Sequence, residues 1–281
     1  MMTPKIATVQ TSSAGDWQRR LDKADELCRA AVADGAQLLV LPENFAYYAQ
    51  KNLNEMADIE SAYDGPVTSR LSLLAKELGV WIVGGTIPMW DEQQTDRPFA
   101  AVPVFNNEGN ICCRYNKMHL FDVDIPDQNK RYRESDFYFP GDGSTVVFDS
   151  PVGRIGVIVC YDLRFPYLAQ SLADQGAEII VAPSAFTRET GKVHWQLLLQ
   201  ARALDTLCYV AGANLAGRDH PKVPTWGGST IVNPWGKVVA DMEDQEGFIC
   251  AEIDLEKQQK IRQSLPLSQH RRSVKSGETR L

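Results

Sequence analysis

Cysteine is scarce in this chain: Cys28, Cys112, Cys113, Cys160, Cys208 and Cys250 are six residues in 281. They show no Cys-x-x-Cys spacing and no nearby histidine pair, so neither a disulfide framework nor a zinc site is expected, and nothing calls for a metal or a cofactor. Cys28, Cys208 and Cys250 fall in apolar helix or strand patterns and read as core filling. Long hydrophobic runs are also missing. No stretch approaches the roughly 18 consecutive apolar residues of a membrane helix, and Met1-Met2-Thr3-Pro4-Lys5 lacks a secretory hydrophobic core. A soluble, cytoplasmic protein without a membrane partner is the expectation. Blocks of one charge sign are absent, and the net charge of -7 is spread along the chain. That argues against a nucleic-acid surface and against a disordered acidic tail. What remains is a chain with 44% apolar residues and no composition break. It reads as one domain over residues 1–281, with 265–281 as an extended C-terminal tail, built for small-molecule chemistry.

The apolar periodicity predicts alternating strands and helices. A strand Ile6 to Gln10 precedes a helix carrying Leu21, Ala24, Leu27, Cys28 and Ala31 at helical spacing, with Asp16 as N-cap and Gly35 just past its end. Gln37 to Leu41 is a buried strand that delivers Glu43. A helix from Val67 to Leu78, closed by Gly79, leads to the strand Val80 to Gly84. Two extended runs around Asn106-Asn107-Glu108-Gly109-Asn110 form a hairpin whose second arm delivers Lys117. The loop Asp122 to Gly143 is long enough to cover a site. The order then repeats: strands Thr145 to Phe148 and Arg154 to Val159, a helix from Pro166, the strand Glu178 to Ala182, a helix Val193 to Thr206, and the strand Cys208 to Ala213. A hairpin at Asn233-Pro234-Trp235-Gly236-Lys237 and the strand Phe248 to Ile253 complete it. Two such halves suit an α/β fold, a four-layer α-β-β-α sandwich of two mixed sheets.

The segment Val157-Ile158-Val159-Cys160-Tyr161-Asp162-Leu163-Arg164-Phe165-Pro166 sets a thiol at a strand-to-helix turn. There the Tyr161 N-H can face a carbonyl oxygen under attack. A buried structural cysteine closing the strand is the competing reading. A thiol with pKa near 8.5 needs a base or a positive neighbour to be an efficient nucleophile. None of the four histidines has a papain-like context, which leaves a carboxylate as the base.

Leu41-Pro42-Glu43-Asn44, Tyr115-Asn116-Lys117-Met118-His119-Leu120-Phe121-Asp122 and Cys160-Tyr161-Asp162-Leu163-Arg164-Phe165 resemble, in order, the three signature regions of the nitrilase (carbon-nitrogen hydrolase) superfamily. The likeness runs from about Ile6 to about Arg272 and takes in Pro183-Ser184-Ala185-Phe186 and Asn233-Pro234-Trp235-Gly236. It implies Glu43 as general base, Lys117 as the cation that stabilises the oxyanion, and Cys160 as nucleophile. It implies a second carboxylate, Glu134, beside the lysine; an ordinary surface charge is the alternative there.

Arg164, four residues after the thiol, could clamp a substrate carboxylate, or pair with Asp162. The loop Phe186-Thr187-Arg188-Glu189-Thr190-Gly191 offers Phe186 and Thr190 to the same pocket, while His194-Trp195 reads as packing beneath it. Within the superfamily the chain looks most like the deaminated glutathione amidase branch. That implies hydrolysis of the terminal amide of a carboxylate-bearing 2-oxo acid derivative. An ω-amidase acting on 2-oxoglutaramate or 2-oxosuccinamate, a nitrilase or N-carbamoyl amino acid hydrolase, and a non-catalytic binding relative are the alternatives. Gly228 departs from that branch, where histidine is more usual. The resemblance also implies a homodimer.

Overall fold

The computed structural model describes residues 3–61, 63–91, 94–125, 130–221 and 223–272. The first half holds β1 (Lys5–Gln10), α1 (Trp17–Ala33), β2 (Leu38–Val40), α2 (Leu53–Glu60), α3 (Pro66–Leu78), β3 (Trp81–Val83), β4 (Ile87–Asp91), β5 (Gln94–Phe105) and β6 (Ile111–Asn116). A small hairpin, β7 (Asp122–Ile125) and β8 (Lys130–Arg133), follows. The second half holds β9 (Val147–Ser150), β10 (Gly153–Val157), α4 (Pro166–Asp174), β11 (Ile179–Ser184), α5 (Arg188–Thr206), β12 (Tyr209–Asn214), β13 (Thr230–Val232), β14 (Val238–Asp241), β15 (Gly247–Glu252), α6 (Leu255–Ser264) and α7 (Leu267–His270).

Two mixed sheets result. One runs β15-β1-β2-β3-β5-β4 with β6 on β5; the other runs β14-β13-β12-β11-β10-β9. The layering follows from side-chain alternation along each strand. On β1 and β2, Ile6, Leu38 and Val40 belong to the cluster that contains Val157, Ile180 and Ala211 of the second sheet. Ala7, Val9 and Leu39 pack instead with Leu21, Leu27 and Cys28 of α1 and with Leu71 and Leu74 of α3. Leu168 and Leu172 of α4 and Trp195 and Leu199 of α5 cover the far side of the second sheet. This is the four-layer sandwich the element order predicts, and Asp16 and Gly79 cap α1 and α3 as expected.

Several expectations need correction. The loop from Asp122 contains the β7–β8 hairpin and a 3-10 turn, Glu134–Asp136. Helix α5 starts at Arg188, because Thr187 accepts from the Thr190 N-H and caps it. Arg188 to Gly191 are therefore its first turn, not loop. Helices α2 and α6 and strand β4 were not anticipated. In the tail, Leu267–His270 is one helical turn, not extended chain; residues 273–281 lie outside the described residues.

Gly85, at φ 64°, stands behind the loop that carries Glu43: a Cβ there would lie 2.2 Å from the Pro42 carbonyl oxygen. Neither that contact nor the left-handed backbone suits alanine. Gly85→Ala is expected to cost at least about 1–3 kcal/mol and to displace Glu43. Thermal melts and turnover, measured together, should both fall.

Candidate active site

Three chain segments bring their side chains to one buried point. Glu43 follows β2 after Leu41-Pro42, Lys117 directly follows β6, and Glu134 opens the 3-10 turn after β8. Lys117 Nζ stands 2.7 Å from Glu43 Oε1 and 2.8 and 2.7 Å from the two Glu134 oxygens. Each carboxylate is held again by backbone. The Ala185 N-H donates to Glu43 Oε2 at 2.9 Å, and the Phe121 N-H donates to Glu134 Oε2 at 2.6 Å. Cys160, buried and at φ 47°, opens the 3-10 turn Cys160–Arg164 and lines the same cavity of about 410 Å3 as Glu43, Lys117 and Glu134.

Charge balance sets what this cluster can do. Two carboxylates and one ammonium leave a net negative site that resists a further anion. Burial, and then the Glu43 charge, push the Cys160 thiol well above its ordinary pKa, against the pull of Lys117 and the Ala185 N-H. The sulfur therefore rests as a thiol, and acting as a nucleophile would require it to lose that proton. Burial works against the Lys117 charge, but Glu134 and then Glu43 outweigh it and hold the ammonium well above the usual lysine range. Burial also raises Glu134, with Lys117 opposing. Two of the three Lys117 contacts go to one carboxylate. One N-H can therefore swing to an oxyanion while each glutamate keeps a bond. The Tyr161 N-H is a second possible donor, at the first turn of the 3-10 helix where donors have no intrahelical partner.

Asp162, two residues past Cys160, fixes this turn, a role not given to it in the sequence analysis. It is buried and accepts from the Val159 N-H (2.9 Å), the Tyr115 hydroxyl (2.8 Å) and the His119 N-H (3.0 Å). The His119 ring contacts it at 2.6 Å and stacks on Phe165. The signal was available in the sequence: an acid three residues after Val159 is placed to reach back to that N-H, as in a capping box. The Ala185 N-H is a backbone donor and left no such trace.

The remaining expected residues fall on the cavity wall. Tyr161, Arg164, Phe186 and Thr190 all line it. Arg164 does not pair with Asp162. Its Nη2 donates to His194 Nδ1 at 3.0 Å, with the guanidinium near the Tyr161 and Phe186 rings. Burial, and then the Arg164 charge, lower the His194 pKa, consistent with a neutral acceptor. Among the described residues Arg164 has no carboxylate partner within 4.0 Å. His194 thus orients Arg164, whereas Trp195 packs under Phe186 at 5.0 Å, as expected. The Thr190 hydroxyl is already 2.8 Å from that of Thr187 at the α5 cap. Gly228 is outside the cavity and accepts from Trp195 Nε1 at 2.6 Å.

Comparison with known proteins agrees in sequence and in fold. The family model described as carbon-nitrogen hydrolase matches residues 5–263. The chain is 38% identical to a deaminated glutathione amidase of Yersinia enterocolitica, over 100% of this chain and 97% of the relative. It is 41% identical to omega-amidase NIT2 of Xenopus tropicalis, over 95% of each. The crystal structure of the C. elegans NitFhit protein superposes with TM-score 0.87 at 34% identity, covering 99% of this chain and 70% of that one. Saccharomyces cerevisiae Nit3, a member of branch 10 of the nitrilase superfamily, gives TM-score 0.84 at 33% identity over 95% of each chain. The chain therefore belongs to the carbon-nitrogen hydrolase family, and is a cysteine-nucleophile amidase related to the deaminated glutathione amidase and omega-amidase branch.

Proposed function

We propose that this enzyme hydrolyses the terminal amide of a small, carboxylate-bearing 2-oxo acid derivative of the deaminated glutathione kind. The reading rests on one observation: Arg164, without an acid partner among the described residues, shares a cavity with Cys160, Glu43 and Lys117. In this scheme the Cys160 thiol gives its proton to Glu43 as sulfur attacks the amide carbon. Lys117 and the Tyr161 N-H hold the oxyanion. Collapse breaks the carbon-nitrogen bond as Glu43 passes its proton to the leaving nitrogen, which departs as ammonia. Water, deprotonated by Glu43, then attacks the thioester through a second oxyanion, freeing the carboxylic acid and restoring the thiol. Glu134 orients Lys117 throughout, and Phe186 and Thr190 shape the substrate pocket.

The kinship with omega-amidase NIT2 supports a second reading, 2-oxoglutaramate or 2-oxosuccinamate as substrate. Ammonia release from deaminated glutathione and from 2-oxoglutaramate, compared side by side, separates the two. Arg164→Ala should raise KM about 10- to 100-fold, since a hydrogen bond to a charged group is worth about 1.5–3 kcal/mol. If nitriles or N-carbamoyl amino acids are the better substrates, or if Arg164→Ala leaves KM unchanged, the assignment fails.

The protein is also proposed to act as a homodimer through the helices that flank Cys160. On α5, Val193 and Leu197 are 64% and 65% exposed and one turn apart, and Trp235 of the β13–β14 hairpin is 63% exposed. Such apolar side chains on one helix face call for a cover. Light scattering at micromolar concentration should give about twice the 31.3 kDa of one chain; a monomer mass refutes the pairing.

A further inference from the structure

Cys112 and Cys113 take no part in the site above, yet they form a second sulfur cluster. Strict strand alternation sends consecutive side chains to opposite faces. Here the β5–β6 register slips: Val104 faces Cys113 and Phe105 faces Ile111, so Cys112 is an extra, bulged residue. A bulge re-aims a side chain, and the two sulfurs lie 4.0 Å apart. Cys112 is exposed and Cys113 half-buried, so the pair is reachable from solvent. Two thiolates about 2.3 Å from one tetrahedral ion stand about 3.8 Å apart, close to the spacing found. Among the described residues, however, no group of three or more His, Cys, Asp or Glu could hold a metal ion. The zinc geometry of four protein ligands is therefore not available.

From this geometry we propose that Cys112 and Cys113 form a bidentate dithiol site for a thiophilic centre that needs two protein sulfurs, of which a monosubstituted trivalent arsenical is the model. In the binding step each thiol loses its proton, two arsenic-sulfur bonds form, and the arsenical oxygen leaves as water. The contact between the two sulfurs holds one thiol, Cys112, down at about 7 and pushes Cys113 up, so one sulfur ionises readily near neutral pH and the second gives up its proton as its arsenic-sulfur bond forms. Both cysteines lie on β6, which ends one residue before Lys117, and Cys113, the nearer, is four residues from it, about 13 Å along extended chain. Occupancy should therefore leave amide hydrolysis intact.

The test is intact-mass measurement of the whole protein after phenylarsine oxide, followed by excess monothiol and then by a dithiol. A lone thiol such as Cys160 gives up the arsenical to monothiol, whereas a chelating pair does not. One monothiol-resistant adduct, equal to the reagent less water, is expected on wild type and on Cys160→Ala, and the dithiol should remove it. Cys112→Ser and Cys113→Ser should each lose the adduct while keeping wild-type turnover, which shows that they fold. An adduct that survives either serine substitution overturns the proposal, and so does the lack of a resistant adduct on Cys160→Ala. Wild-type protein that keeps the adduct but does not regain ammonia release after the monothiol wash overturns the claimed independence of the two sites.

Discussion

Glu43→Gln is expected to lose ammonia release by about 10²–10⁴-fold, the usual contribution of a positioned general base, while its Cys160 thiol becomes more acidic. These two effects run in opposite directions because Glu43 bears on the thiol twice. In the proposed scheme it removes the proton as a base during attack; as a charge it raises the thiol pKa before attack. Glutamine keeps the shape and an oxygen that can accept from the Ala185 N-H, but it removes both charge and basicity. Lys117 then acts on the sulfur with one carboxylate fewer against it. The rate of iodoacetamide alkylation against pH, read at Cys160 by peptide mass, should therefore shift to lower pH in the variant. The assignment of Glu43 as base fails if turnover survives. The electrostatic account fails if the thiol titrates higher than in wild type.

How much of this was legible depends on where the information sits. Glu43 and Cys160 each follow a short apolar strand and Lys117 follows the second arm of a hairpin, so strand pattern places all three at strand ends without knowledge of the packing, and the resemblance to the superfamily's signature regions supplies their roles. The β7–β8 hairpin reads as loop in the sequence because charge pairing replaces an apolar stripe along it: Arg133 Nη2 meets both Asp124 oxygens at 2.9 Å across the strands. Helix α6 is largely polar, and its one buried residue, Gln258, donates to the Glu178 and Leu207 carbonyls. No hydrophobic pattern marks a contact of that kind. Helix α5 extends a turn beyond its apolar pattern because its first turn, Arg188-Glu189-Thr190-Gly191, has little apolar content, although Thr187 caps it. The Arg164–His194 contact joins residues 30 apart from two different elements. Only the packing of α5 beside the Cys160 turn creates it.

Lys117→Met should be damaging in two separable ways. Removing an oxyanion donor costs about 10²–10³-fold in kcat. Removing the cation also leaves two glutamates facing each other in a buried site, which costs about 3–5 kcal/mol. The second effect carries a pH signature. In wild type the folded-state pKa of Lys117 is raised, so its stabilisation is complete below the ordinary lysine value of 10.5 and is lost only as pH rises through the higher folded value. In the variant Glu134, already raised by burial, no longer has Lys117 opposing that shift and rises further above its ordinary 4.5. A carboxyl group with a raised folded pKa favours the folded state most below its unfolded value, and that advantage is lost as pH climbs through the folded one. The stability deficit of Lys117→Met should therefore be large at neutral pH and shrink toward pH 4–5. Urea denaturation of both proteins across that range measures it. A deficit that stays constant would mean that lost packing, not uncompensated charge, is what the variant suffers, and a deficit that grows in acid would reverse the electrostatic assignment of the site.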